Sequence, residues 1–185
     1  LIDDHEKLLT KNPIFRSRTR GLGTISAADA ISYGCSGPTL RGSGVAYDLR
    51  KAKPYSSYDH FDFDVPVGTH GDVYDRYLVR MQEIRESLKI VSQALDNLPD
   101  GPVNTADRSV ALPPRNEINT SMESLIRHFK LVTEGFRAPR GAVYQAVESP
   151  RGELGFYLVS DGQNRPYRCK VRAPSFSHVQ AMALM

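Results

Sequence analysis

The sequence predicts an α+β protein in which helices dominate and a small antiparallel sheet lies near the C-terminus. Two changes of hydrophobic period support this class. Residues 72–98 carry apolar side chains at alternating steps of four and three, which is the spacing of one helix face. In residues 141–172 apolar and polar side chains alternate with a period of two, and turn-forming residues divide this stretch into short strands.

Composition excludes several classes of protein. The 185 residues are 40% hydrophobic and 24% charged, as is ordinary for a globular chain that can bury a core. The net charge of +3 is spread without a basic stripe, so we expect no nucleic-acid partner. No apolar run approaches the ~20 residues of a membrane span, and residues 1–20 lack a signal-peptide pattern. We therefore expect a chain that is neither exported nor membrane-spanning.

The two cysteines, Cys35 and Cys169, lie far apart, and no C-x-x-C motif occurs. This argues against zinc or iron–sulfur ligation by the chain, so we expect no bound metal. Both thiols are expected to stay reduced and to be buried as small hydrophobic side chains.

The first half of the chain divides into a helical segment and a loop. Residues 1–34 have helical patterns, interrupted at Asn12-Pro13 and ended by Gly34. Residues 35–71 form a glycine-rich loop that we expect to be mostly irregular, with one short strand at 61–65.

Residues 72–134 form the predicted helical core. Asp72 and Asp75 mark the start of a long helix, since carboxylates favour helix N-termini. We expect its apolar stripe to be buried in a bundle, so that Leu88→Ala would cost roughly 2–5 kcal/mol. The stripe consists of Tyr77, Met81, Ile84, Leu88, Val91, Leu95 and Leu98.

A second helix is predicted from about Thr120 to Glu134, after a proline-rich connection at 99–116. Thr120 and Glu123 fit a capping box, and Gly135 supplies the C-terminal stop. Its expected buried face is Met122, Leu125, Ile126 and Phe129.

Both ends of the sequence suggest part of a longer chain. It begins at Leu1 in a helical pattern and stops at Met185 within an apolar run, without a helix stop signal. We therefore expect the chain to be a fragment of a longer protein.

The sequence contains no motif typical of nucleotide binding or hydrolysis. Gly42-Ser43-Gly44 lacks the rest of a dinucleotide-binding fingerprint. His60, Asp62 and Asp64 would share one strand face near His70 and could ligate a metal. Spacing alone is weak evidence for a site, so a solvated edge with acids paired to lysine or arginine is the preferred interpretation.

The loop from Gly34 to Lys51 is the most informative stretch. Its glycines permit close backbone approach, and its charged residues, Arg41, Asp48, Arg50 and Lys51, stand among small and apolar residues. If this loop is packed, those charges must be paired. A surface loop with ordinary ion pairs is the alternative.

This loop resembles the middle of the quinone-side peripheral-arm subunit of bacterial NADH:quinone oxidoreductase, which is respiratory complex I. The resemblance runs in order along essentially all 185 residues. It includes the stretches at 54–55, 61–68, 71–77, 120–123, 157–162, 166–168 and 172–176.

The resemblance implies that residues 1–185 are the C-terminal portion of a single domain. It also implies a helical bundle like that of the nickel–iron hydrogenase large subunit. It implies a role in forming the quinone-reduction cavity beside the terminal iron–sulfur cluster, as electrons pass from NADH to quinone. The cofactors, iron–sulfur clusters, flavin and NADH, would lie in partner subunits, and quinone would be the substrate. The expected partners are the terminal-cluster subunit, other peripheral-arm subunits and the membrane arm. The expected place is the cytoplasmic face of the plasma membrane, as a peripheral protein.

The resemblance places the known quinone ligands outside this sequence, so we expect no catalytic residue in it. It implies supporting positions behind the quinone cavity at Arg41, Gly42, Gly44, Asp48 and Arg50. A membrane-bound nickel–iron hydrogenase large subunit and a non-catalytic scaffold remain as alternatives.

Overall fold

The structure, a computed structural model, describes residues 2–185 and confirms the mixed class. The helical elements are α1 (Ile2–His5), a π-helical stretch (Glu6–Thr10), α2 (Pro13–Ser17), α3 (Ala27–Ser32), α4 (Pro38–Gly42), α5 (Leu49–Ala52), a 3₁₀ turn (Tyr58–His60), α6 (Val73–Asp96), α7 (Arg115–Ile118), α8 (Met122–Thr133), α9 (Pro174–Ala181) and a 3₁₀ turn (Met182–Leu184). The strands are β1 (Gly141–Ser149), β2 (Gly152–Ser160) and β3 (Arg168–Arg172), and they form an antiparallel sheet in the order β1-β2-β3.

The chain forms two compact units. The first contains the residues up to Leu98 together with Gln145–Gly155 and Val171–Met185. Its core is a cluster of buried small and aliphatic side chains, against which aromatic and valine side chains pack: Ile25, Ala30, Cys35, Leu40 and Ala181, with Tyr33, Val45 and Tyr47. The second unit contains Pro99–Tyr144 and Phe156–Lys170, and so includes α7 and α8.

The helical prediction for residues 1–34 is confirmed for α1–α3, while Leu1 lies outside the described residues. Asn12 explains the break, because its side-chain oxygen accepts a hydrogen bond from the Ile14 N–H at 2.9 Å and so caps α2. Gly34 follows α3 with φ +66°, a left-handed conformation that ends a helix.

The expectation of a mostly irregular segment at 35–71 is confirmed, although the short helices α4 and α5 and a 3₁₀ turn lie within it. The short strand predicted at 61–65 is wrong. The backbone N–H groups of Asp62 and Asp64 donate instead to the side chains of Gln93 and Glu86 on α6, both at 2.9 Å. No neighbouring strand is therefore needed to satisfy them.

Helix α6 confirms the predicted long helix, and the Asp72 carboxylate caps it by accepting from the Asp75 N–H at 2.8 Å. The predicted burial of its stripe is wrong beyond Met81. Leu88 is 57% exposed and Val91 is 54% exposed. The helix instead packs against α4 through its first turns, and its buried residues are Tyr74, Asp75, Arg76, Val79, Met81 and Ile90.

Helix α8 also forms, but its predicted capping box is wrong. The cap is Ser121, whose hydroxyl accepts from the Ser124 N–H at 3.4 Å, and Glu123 pairs with Arg127 at 2.8 Å. Gly135 supplies the expected stop with φ +76°. The side chains expected to be buried are exposed: Met122, Leu125, Ile126 and Phe129.

Both cysteines are free thiols, as expected. Cys35 is buried, which confirms half of the prediction, but Cys169 on β3 is exposed. Among residues 2–185, none of the helices combines the length and apolarity required to cross a membrane.

Candidate functional site: a buried charge cluster

The predicted loop folds as a buried helix, α4, because two glycines remove side chains where elements meet. Gly37 precedes Pro38 with φ +63°, and a Cβ there would lie 2.5 Å from the Cα of Gly152, the first residue of β2. At Gly42, a Cβ would lie 2.7 Å from the Cγ of Arg76 on α6. All five residues of α4 are buried.

Arg41, on α4, is only 2% exposed and is one of the largest fully buried side chains of the described residues. Its Nε and Nη2 both contact Glu83 Oε1 on α6, at 2.7 and 2.6 Å. Its Nη1 donates to Glu148 Oε1 on β1 and to the Tyr47 carbonyl, both at 2.9 Å. The same Nη1 lies 3.6 Å from an Asp48 carboxylate oxygen. One guanidinium thus connects α4 to α6, to β1 and to the loop before α5.

Asp48 caps α5 and also holds a second guanidinium. Its Oδ1 accepts from the Arg50 backbone N–H at 2.9 Å and from Arg50 Nε at 3.0 Å. Arg50 Nη2 donates to the other oxygen at 2.7 Å, which completes a two-armed pair. The Asp48 side chain is 1% exposed. We call Arg41, Asp48, Arg50, Glu83 and Glu148 the buried charge cluster.

The pKa values of the three carboxyls of this cluster are shifted in different directions. Burial alone would raise the pKa of Asp48, but hydrogen bonds and charge from Arg50, with help from Arg41, outweigh it and lower that pKa. Burial raises the pKa of both Glu83 and Glu148, and Arg41 opposes the increase without cancelling it. Asp48 is therefore the firmly ionised member.

Glu148 links the sheet to the loop through hydrogen bonds of both its backbone and its side chain. Its N–H donates to the Tyr55 hydroxyl at 2.8 Å, and its Oε2 accepts from the Leu49 N–H at 3.3 Å. With Arg41 on Oε1, both oxygens of this carboxyl are occupied.

A cavity of about 610 Å³, open toward the surface, lies beside the cluster within the first unit. Arg41, Arg50, Glu83 and Glu148 contribute to its wall. The cluster is thus a packed structure with one side turned to accessible space.

Of the site residues predicted from the sequence, the structure brings Arg41, Asp48 and Arg50 into contact. The other two shape the backbone around them. Gly42 lets α6 approach, and Gly44, with φ +87°, turns the chain after α4 while its N–H donates to the Arg41 carbonyl at 3.0 Å. Arg41, Asp48 and Arg50 are paired, as the prediction required of charges in a packed loop. Lys51 is exposed, and its ammonium lies 4.3 Å from the centroid of the Phe63 ring.

Sequence reasoning missed Glu83 and Glu148. They lie 42 and 107 residues from Arg41, and no spacing rule joins positions so distant. The alternating pattern of β1 does place Glu148 on one strand face, but it gives no reason to choose that carboxyl over others.

The histidine and aspartate residues near 60–70 do not form a metal site. The Asp62 carboxylate pairs with Lys89 Nζ at 2.8 Å on the surface, as the preferred interpretation predicted for these acids. His60 lies beside Asp59, and His70 beside Asp75. Within residues 2–185, no group of three or more His, Cys, Asp or Glu side chains could hold a metal ion.

Comparison with known proteins identifies the family. A sequence model of the 49 kDa subunit of respiratory-chain NADH dehydrogenase matches residues 1–185. The chain belongs to this family. Among curated relatives, an NADH-quinone oxidoreductase subunit from Wolbachia sp. subsp. Brugia malayi is 56% identical over 184 residues. Its counterparts from Acidiphilium cryptum and Rhodospirillum centenum are 58% identical over 184 residues and 59% identical over 186.

All three alignments cover 100% of this chain and only 45–47% of the relatives. The chain thus spans about half the length of the curated relatives it matches. The resemblance seen in the sequence to the quinone-side subunit is confirmed, and the 49 kDa family match does not favour the hydrogenase or scaffold alternatives.

Proposed function

We propose that this chain is part of the quinone-side subunit of a proton-translocating NADH:quinone oxidoreductase. In this proposal its buried charge cluster fixes one wall of the quinone-reduction cavity beside the terminal iron–sulfur cluster. The observation that carries the proposal is Arg41, a fully buried guanidinium that holds α4, α6 and β1 together within a chain of the 49 kDa subunit family.

The proposal includes the surroundings of the chain. Electrons pass from NADH through flavin and iron–sulfur clusters of partner subunits to quinone, which is the substrate. The chain works with the terminal-cluster subunit, other peripheral-arm subunits and the membrane arm, at the cytoplasmic face of the membrane. Its helices belong to a bundle of the hydrogenase-large-subunit type. The relatives are named as subunits of NADH-quinone oxidoreductase, which supports this assignment.

Arg41 and Asp48 are positioning residues in this mechanism. The hydrogen-bond donors of Arg41 are directed at Glu83, Glu148 and the Tyr47 carbonyl, so the side chain acts by holding backbone segments in place. A guanidinium fixed in a region of low polarity also stabilises negative charge that develops nearby when quinone accepts electrons. Holding several groups at once requires the planar, multi-donor geometry of arginine, whereas stabilising a nearby negative charge depends on its positive charge.

The test uses the full-length protein in the assembled complex. Arg41→Lys keeps the charge but cannot reach both glutamates and the carbonyl, and Asp48→Asn removes the charge that holds Arg50. We expect NADH oxidation by an artificial acceptor upstream of quinone to persist per assembled complex. We expect NADH oxidation by quinone to fall, with a raised KM for quinone. Arg127→Lys, in an exposed ion pair on α8, is the control and should leave both rates unchanged.

Two results would contradict the proposal. If both rates and the quinone KM stay normal in Arg41→Lys and Asp48→Asn, the cluster has no part in quinone reduction. If both variants prevent assembly while Arg127→Lys does not, the cluster is purely structural, and the scaffold alternative gains support.

A further inference from the structure

Glu83 differs from the other two carboxyls of the buried charge cluster in how its oxygens are used. Both contacts from Arg41 fall on Oε1. No hydrogen bond within the first unit, among residues 2–98, 145–155 and 171–185, uses Oε2. By contrast, both oxygens of Asp48 and both oxygens of Glu148 accept hydrogen bonds. Glu83 therefore has one fixed oxygen and one available oxygen.

The available oxygen belongs to a side chain that solvent can reach. Glu83 is 15% exposed, whereas the side chains of Arg41, Asp48 and Glu148 are 1–4% exposed. Glu83 also lines the cavity of about 610 Å³, which opens toward the surface. A proton can thus reach Glu83 without any movement of the packed part of the cluster.

Glu148 is the charged group near Glu83 that favours a proton there, whereas the guanidiniums of Arg41 and Arg50 oppose it. Three carboxyls share the cluster with two guanidiniums, and the guanidinium of Arg80, one turn earlier on α6, interacts electrostatically with Glu83 while it donates a hydrogen bond to the Arg76 carbonyl at 3.1 Å. Two buried carboxylates that face one guanidinium repel each other, and a proton on one of them relieves the repulsion. The charged groups that face Glu83 from α4, α5, α6, β1 and the β1–β2 turn are Arg41, Asp48, Arg50, Arg80, Glu148 and Arg151.

We propose that Glu83 is a proton-binding site, which takes up a proton on Oε2 from water in the cavity and releases it by the same route. The step is a simple protonation: a carboxylate and a proton give a carboxylic acid, and no oxidant or reductant is involved. Burial, which raises the pKa of this carboxyl, acts in the same direction.

The link to catalysis rests on the proposed function above. If the cluster forms a wall of the quinone cavity, negative charge that arrives on quinone increases the proton affinity of a nearby carboxyl. Glu83 would then gain a proton when quinone is reduced and lose it when the product leaves. In this role Glu83 acts near quinone and not on it. Arg41 and Glu148 keep their positions around the Glu83 carboxyl.

The experiment is an infrared measurement on the assembled oxidoreductase with the full-length protein. The carboxylic-acid C=O stretching band is followed during pH titration and in the NADH-induced difference spectrum. Wild type should show a titrating band. Glu83→Gln should lack it, and Glu83→Asp should shift it, which keeps the test available if the glutamine variant assembles poorly. Glu86→Gln is the matched control, since Glu86 lies on the same helix and accepts a hydrogen bond from the Asp64 N–H instead.

The outcomes separate the proton site from the proposed function. A titrating band that is unchanged in both Glu83→Gln and Glu83→Asp overturns the proton-binding site, whatever the quinone rates show. If Glu83→Gln removes the band and also one ionisation from the pH profile of quinone reduction, the full proposal stands. If the band disappears while that profile stays the same, the link to quinone reduction is overturned. The artificial-acceptor rate reports assembly in every variant.

Discussion

Arg41→Ala removes the guanidinium that Glu83 and Glu148 both contact, and it tests how far the buried charge cluster depends on that group. The alanine variant leaves two buried carboxyls without their shared cation and the Tyr47 carbonyl without its donor at 2.9 Å. Removing one partner of a buried ion pair typically costs about 3–5 kcal/mol, because the remaining charge is uncompensated. We expect the free energy of unfolding of the chain to fall by that amount.

The pH dependence of this loss has a defined sign. Burial raises the pKa of Glu83 and Glu148, and without Arg41 to oppose it both values rise further. A carboxyl whose pKa is higher in the folded state favours folding at low pH and loses that contribution as the pH rises through the folded pKa. The defect of Arg41→Ala should therefore be larger at neutral pH than near the ordinary glutamate pKa of 4.5.

Urea unfolding followed by circular dichroism measures the effect at both pH values. Arg127→Ala is the control, because its ion pair with Glu123 is exposed and contributes at most about 0.5 kcal/mol. The double variant Arg41→Ala/Glu148→Gln should regain part of the loss by removing one uncompensated charge. If Arg41→Ala unfolds at the same urea concentration as Arg127→Ala, the reasoning about buried charge is refuted.

Two further predictions concern packing. Gly37→Ala should destabilise the chain by more than Gly135→Ala, although both glycines have positive φ, because only the first Cβ would meet backbone, at 2.5 Å, while the second has nothing within 4 Å. Equal losses in thermal unfolding would show that conformation alone decides the cost. Leu88→Ala should cost no more than about 0.5 kcal/mol, as is usual at the surface, whereas Ile90→Ala, at a position 9% exposed, should cost about 2–4 kcal/mol. A large loss of stability in Leu88→Ala would show that the Leu88 side chain is buried.

The parts of the fold that sequence reasoning predicted are those with a local cause. Helix α6 begins after Asp72 because a carboxylate there satisfies a free N–H of the first turn. Helices α3 and α8 stop at Gly34 and Gly135 because glycine adopts positive φ at little cost. The three strands follow from alternation and from turn residues. Each of these signals lies within a few residues of the element it defines.

Other features failed because the deciding contact is distant or the element is short. Helix α4 has five residues, too few for a hydrophobic period, and Pro38 at its first turn is the signal that could have identified it. The segment 61–65 has the alternation of a strand, but side chains of α6 satisfy its backbone. Periodicity showed that one face of α6 is apolar, and it could not show which part of that face is covered.

The candidate site also combines residues that local signals predict with residues that only distant contacts bring together. Glycines and charges within a few residues identified Arg41, Asp48 and Arg50 as a set that must be paired if buried, and they are. Glu83 and Glu148 come from α6 and β1, and their contact with Arg41 depends on how those elements pack. A single sequence carries no local mark of that packing.

Stability alone does not explain why such a cluster is buried. Apolar side chains of similar volume often stabilise a protein as well as a buried ion pair does, since the pair must first lose its hydration. Apolar contacts do not fix the relative orientation of packed elements as directional hydrogen bonds do. Arg41 makes hydrogen bonds at 2.6–2.9 Å to groups on α6, on β1 and before α5, so those elements are held in one mutual orientation. The role proposed for the cluster, as a wall that positions quinone, requires that fixed geometry. The same arrangement leaves one oxygen of Glu83 without a hydrogen bond from the described residues of the first unit at the accessible edge, and there the proposed proton would bind without disturbing the hydrogen bonds of Arg41.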